Sequence, residues 1–112
     1  MPEEFTTTVT AQPGGDTVLT VSGELDIATG EELRSRLHAA LAQSHTVLLD
    51  LSGVTFLDCA GMRVLLWARR QAAATGVRLL LYAPSPAVDK ILRTTHLETA
   101  FTFSAPSALT AR

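Results

Sequence analysis

The 112-residue chain predicts an α/β domain built on a largely parallel sheet. Short β-branched or apolar runs alternate with stretches whose apolar residues recur at helical spacing. The order strand, helix, strand, helix, strand runs without a break from Thr17 to Tyr82. The length suffices for one core without metal or disulfide help, and the hydrophobic fraction, 46%, is ordinary for a globular protein. The whole chain, 1–112, therefore reads as a single domain.

The elements follow in order. Residues 5–11 are rich in Thr and Val and predict an edge strand. Pro13-Gly14-Gly15-Asp16 is a turn, so Thr17–Ser22 returns as the second arm of a hairpin. Gly23-Glu24-Leu25-Asp26 leads away from it. Thr29, with Glu32 three residues on, matches a capping box opening a helix whose Leu33, Leu37, Ala40 and Leu41 share a face. Thr46–Leu51 reads as a buried strand. The helix after Asp58 presents Met62, Leu65, Leu66 and Ala73, with Trp67 on its flank and Gly76 as its stop. Val77–Tyr82 is another buried strand. Ser85 and Pro86 read as N-cap and first helical residue, with Val88, Ile91 and Leu92 facing the core. Phe101–Phe103 is a last extended segment, and Ser104 is read as the cap of a final short helix.

Two consecutive βαβ units predict parallel strands and right-handed crossovers. The loops Gly23–Ala28, Ser52–Asp58 and Ala83–Ser85 then leave one edge of the sheet, the carboxyl edge where open α/β sheets bind ligands and partners. Asp26, Asp58, Cys59 and Ser85 are thereby expected on one surface although far apart in sequence.

Composition excludes several function classes. A net charge of −2 gives no basic footprint for nucleic acid and no polybasic membrane patch. One cysteine forbids an internal disulfide. The acidic start, Met1-Pro2-Glu3-Glu4-Phe5, is not a signal peptide, and no apolar run approaches the roughly 18 residues of a membrane span. A cytoplasmic location is the expectation. His38, His45 and His96 are scattered and show no metal spacing, and no glycine-rich phosphate loop is present, so neither metal nor cofactor is expected.

The junction Val54–Leu66 runs from an apolar strand through a polar turn into an apolar helix, with an acid and a thiol at the helix N-terminus. Asp58 reads as an N-cap carboxylate or as a partner contact. Asp26 reads as a loop acid ending its strand. From the residues alone Cys59 reads as a small buried hydrophobe or as a redox-sensitive thiol at a helix N-terminus. A thiol nucleophile of the phosphatase kind is disfavoured, because the stretch from Cys59 to Arg63 is too short for the phosphate loop that chemistry needs.

The blocks Gly23-Glu24-Leu25-Asp26, Leu49-Asp50-Leu51-Ser52-Gly53-Val54-Thr55-Phe56-Leu57-Asp58, Gly61-Met62 and Ser85-Pro86-Ala87-Val88, with the spacing between them, resemble the anti-sigma factor antagonists of the STAS domain group. The resemblance implies a mixed, largely parallel sheet of four or five strands flanked by about four helices. It also implies a non-enzymatic partner-switching protein that docks on an anti-sigma factor with a kinase-like domain and so frees a sigma factor. In the family the turn reads Asp-Ser-(Ser/Thr/Ala)-Gly. Its first serine is phosphorylated, which adds about −1.5 to −2 charge and breaks the complex. Here Cys59 stands at that position and Ala60 where a second hydroxyl often lies. The implied docking surface is Asp26, Asp58, Cys59, Ala60, Gly61, Met62 and Arg63. In it Asp26 and Asp58 supply charge complementarity, Met62 an apolar anchor and Gly61 close backbone approach. The alternative is a STAS scaffold or assembly subunit that meets no sigma-regulating kinase. Self-association into a homo-oligomer stays open on either reading.

Overall fold

The structure, a computed structural model, describes residues 4–104. Its strands are β1 (Thr6–Gln12), β2 (Asp16–Leu25), β3 (Thr46–Leu57), β4 (Arg78–Tyr82) and β5 (Thr102–Phe103). Its helices are α1 (Ile27–Gln43), α2 (Cys59–Thr75) and α3 (Pro86–Thr94), with a 3₁₀ turn at Glu98–Ala100. The strands form one mixed sheet in the order β1-β2-β3-β4-β5. The β1–β2 hairpin is antiparallel and every later pairing is parallel. The final helix expected after Ser104 lies outside the described residues.

Two strands are longer than their sequence signals imply. β2 continues to Leu25 instead of ending at Ser22, and β3 continues to Leu57 instead of ending at Leu51. The residues expected to be loops instead extend the parallel ladder, pairing Gly23 with Val54, Glu24 with Phe56 and Leu25 with Leu57. Gly23 and Ser52-Gly53 carry turn chemistry, but here they accompany register shifts between Thr20 and Ser22 and between Gly23 and Glu24. Glycine in a strand interior often marks such an irregularity.

The start of α1 corrects the expected capping box by one turn. Asp26, not Thr29, is the N-cap. Its Oδ1 accepts from the Ala28 and Thr29 N–H groups at 2.9 and 3.1 Å, and the Asp26 N–H donates to Thr29 Oγ1 at 3.0 Å. Thr29 is therefore the reciprocal partner, and its hydroxyl also donates to the Glu24 carbonyl at 2.8 Å. Because β2 persists to Leu25, Asp26 is the first residue free to leave the ladder, and an aspartate there caps better than a threonine three residues on. The predicted face, Leu33, Leu37, Ala40 and Leu41, is buried.

In α2 the expected cap at Asp58 is observed, as is the stop at Gly76, which adopts φ 75° and donates its N–H to the Ala72 carbonyl. The buried stripe is Gly61, Met62, Val64, Leu65, Ala68 and Ala72; Leu66 is half-buried and Ala73 is exposed, against expectation. Ser85 caps α3, its Oγ accepting from the Val88 N–H at 3.3 Å, with Pro86 first in the helix. Val88 and Leu92 are buried, and Ile91 packs against the core half-buried. One continuous core results, with α1 and α2 packed on each other, α1 over β2, α2 beside β4 and α3 beside β3.

The hydroxyl of Thr7 in β1 is buried without a hydrogen-bond partner. An unpaired buried hydroxyl costs more than the isosteric methyl, and valine suits a strand at least as well. Thr7→Val is expected to raise the unfolding free energy by about 1 kcal/mol, read from the urea midpoint at unchanged slope. A lowered midpoint would contradict this reading of the hydroxyl.

Candidate functional site

Parallel pairing of β2 with β3 ends level, Leu25 opposite Leu57. Adjacent strands lie about 4.8 Å apart, so the residues that follow, Asp26 and Asp58, leave the sheet side by side. Each is the N-cap of the helix that starts at the next residue. No loop intervenes. The Asp58 Oδ1 accepts from the Gly61 N–H at 2.9 Å, and the Asp58 N–H reaches the Leu25 carbonyl at 3.4 Å. Two helix N-termini, each with partial positive charge, thus open on one edge, each met by its own carboxylate. Ser85 belongs to the same edge, its N–H donating to the Leu51 carbonyl at 3.3 Å, but it is buried.

Gly61 fixes this arrangement. A Cβ there would lie 2.5 Å from the Leu25 carbonyl oxygen and 2.6 Å from Leu57 Cδ1. The first turn of α2 therefore rests directly on the end of β2, which a side chain would prevent.

The sequence-derived surface residues divide by exposure. Cys59 and Arg63 are exposed; Asp26, Asp58 and Ala60 are half-buried; Gly61 and Met62 are buried. The exposed thiol at the first position of α2 removes the reading of Cys59 as a buried hydrophobe. Met62 is only 5% exposed and belongs to the core, so its side chain is placed to support the edge from within. The exposed apolar groups at this edge are two that sequence reasoning missed, Ile27 at 80% and Phe56 at 47%. Ile27 was legible, since it stands off the Leu33/Leu37/Ala40 stripe; Phe56 was not, since the register shift between Val54 and Phe56 breaks the alternation that would have placed it. Among the described residues no group of three or more His, Cys, Asp or Glu side chains is placed to hold a metal ion, and no helix is long and apolar enough to cross a membrane.

Gly61→Ala is expected to cost about 1–3 kcal/mol of stability, the usual range for overpacking a filled site. Asp58→Ala is expected to cost about 1 kcal/mol through loss of the cap. Urea unfolding of both variants checks this. A neutral Gly61→Ala would show that the close approach to Leu25 does not constrain the fold.

The STAS domain family model matches residues 7–108. An anti-sigma F factor antagonist of Lysinibacillus sphaericus is 32% identical over 78 residues, covering 68% of this chain and 67% of that protein. Sulfate anion transporter 1 of Homo sapiens is 43% identical over 75 residues, 62% of this chain but only 11% of the transporter's length. The crystal structure of an anti-sigma factor antagonist from Mycobacterium paratuberculosis superposes with a TM-score of 0.83 at 29% identity, covering 99% of this chain and 96% of that one. The family match, the expected sheet and the level strand ends with their capped helices agree: the chain belongs to the STAS domain family.

Proposed function

We propose that this protein is an anti-sigma factor antagonist, a cytoplasmic binding protein that docks on an anti-sigma factor with a kinase-like domain and so frees a sigma factor. The observation that carries this reading is the pair of exposed apolar side chains, Ile27 and Phe56, beside two half-buried carboxylates at the edge where α1 and α2 begin. Interfaces draw their affinity from a few apolar anchors within a polar rim. Here Ile27 and Phe56 are the anchors, and Asp26, Asp58, Cys59, Ala60 and Arg63 form the surround. Gly61 and Met62 shape the surface from beneath. The relatives named as antagonists support the partner class.

Control by phosphate at position 59 is absent on this reading, because Cys59 offers no serine hydroxyl. The protein is then a docking partner whose surface keeps its charge. A second reading is a STAS scaffold or assembly subunit. It is favoured by the 43% identity to a segment of a much longer transporter, where a domain of this kind forms part of a larger protein.

A pull-down on the anti-sigma factor kinases of the source cell separates the two. Ile27→Asp and Phe56→Asp are each expected to weaken kinase binding tenfold or more, about 1.4 kcal/mol, with the melting temperature within a few degrees of wild type. Wild-type affinity in both variants would rule out this edge as the docking surface. Incubation with the captured kinase and ATP should leave wild type unmodified at position 59, while Cys59→Ser takes up phosphate. Capture of other STAS proteins and no kinase would favour the assembly reading.

A further inference from the structure

We propose that the outer edge of β1 pairs antiparallel with the same edge of a second copy, about a twofold axis at Val9. β1 is the outermost strand, bonded to β2 on one side only, and no described residue pairs with its other side. Monomeric proteins blunt such edges with charge, proline, a bulge, a covering element or extreme shortness. The opposite edge follows this rule, since β5 spans two residues. β1 does not. Thr6–Gln12 contains no charged residue and no proline, and its seven pairings with β2 run without a register shift. Thr6, Thr8, Val9, Thr10 and Ala11 are all exposed.

The strand is suited to its own copy. A twofold axis at Val9 sets Val9 against Val9, Thr8 against Thr10, Thr7 against Ala11 and Thr6 against Gln12. Threonine and β-branched pairs are favourable cross-strand neighbours, and no like charges meet. A charged foreign segment would find no complementary charge here, whereas a second copy requires none. Val9 also fixes the register. It lies opposite Leu19, and paired residues share a sheet face. Leu19 is fully buried while Val9 is 48% exposed, because the helical layer packs over β2 and the strands beyond it. Bringing two Val9 side chains together extends the core layer across the join. Seven residues give an edge about 24 Å long, which buries less than the roughly 1,200 Å² of a standard interface. The dimer is therefore weak and concentration-dependent.

Sedimentation of the full chain from the micromolar to the millimolar range tests this. Wild type should rise from the monomer mass of 11.9 kDa toward twice that value. Thr8→Lys/Thr10→Lys should stay monomeric, as should Thr8→Glu/Thr10→Glu, because like charges then face each other across the axis. Mixing the two variants should restore the dimer, since in this register both lysines of one copy meet glutamates of the other. Hydrogen exchange on wild type supplies a check independent of any variant: the outward amides of β1 should lose protection on dilution. A monomer at every concentration overturns the proposal. So do charged variants that dimerise like wild type, a mixture that does not recover, amide protection that ignores concentration, or an edge occupied only by an added foreign peptide.

Discussion

The level ending of β2 and β3 is the constraint on which the rest of the site depends. Because Leu25 lies opposite Leu57 in a parallel pair, the chain leaves the sheet twice at the same height and turns into a helix each time within one residue. Sliding the register by one would turn the inward set, Leu19, Val21 and Leu25, to the other face. The burial of these residues therefore holds the two aspartates side by side. Gly61 then allows the first turn of α2 to lie on the Leu25 carbonyl. Geometry at the edge follows from packing beneath it.

The capping carboxylates come from the same constraint. Each helix starts where its strand stops, so neither has a loop to satisfy its first N–H groups. Asp26 and Asp58 do so from within the chain. Their structural duty is sufficient reason for their presence. Any contact with a partner is made by groups already held in place, which limits the entropy lost on docking. The helical layer behind them is tied in a similar way. The Arg34 guanidinium lies 4.5 Å from the centre of the Trp67 ring, and His38 stacks on that ring, joining the outer flanks of α1 and α2.

Much of this was legible in the sequence. The alternation of strands and helices, the cap at Asp58, the glycine stop at Gly76 and the shared carboxyl edge follow from periodicity and end signals, which report local chemistry. What escaped was decided by tertiary pairing. Gly23 and Ser52-Gly53 read as loop punctuation, yet a neighbouring strand absorbs them as irregularities in the ladder. That extension moved the α1 cap from Thr29 to Asp26, because the cap is whichever polar residue first leaves the sheet. Met62 read as an anchor because it adjoins the turn. Helical phase places it on the buried stripe with Leu65, and exposure passes to Ile27 and Phe56.

On the proposed reading, the charge state of position 59 decides how the edge presents itself. A helix N-terminus favours an added anion, but here two carboxylates already occupy that ground, and Asp58 already takes the Gly61 N–H. A phosphate of about −1.5 to −2 charge would therefore meet two acids as well as the helix N-terminus. On the proposed reading its main effect would fall on a partner's surface, by repulsion, while the fold itself would tolerate it. On this reading the exposed thiol of Cys59 removes that input without disturbing the caps, because neither Asp26 nor Asp58 depends on a hydroxyl at this position.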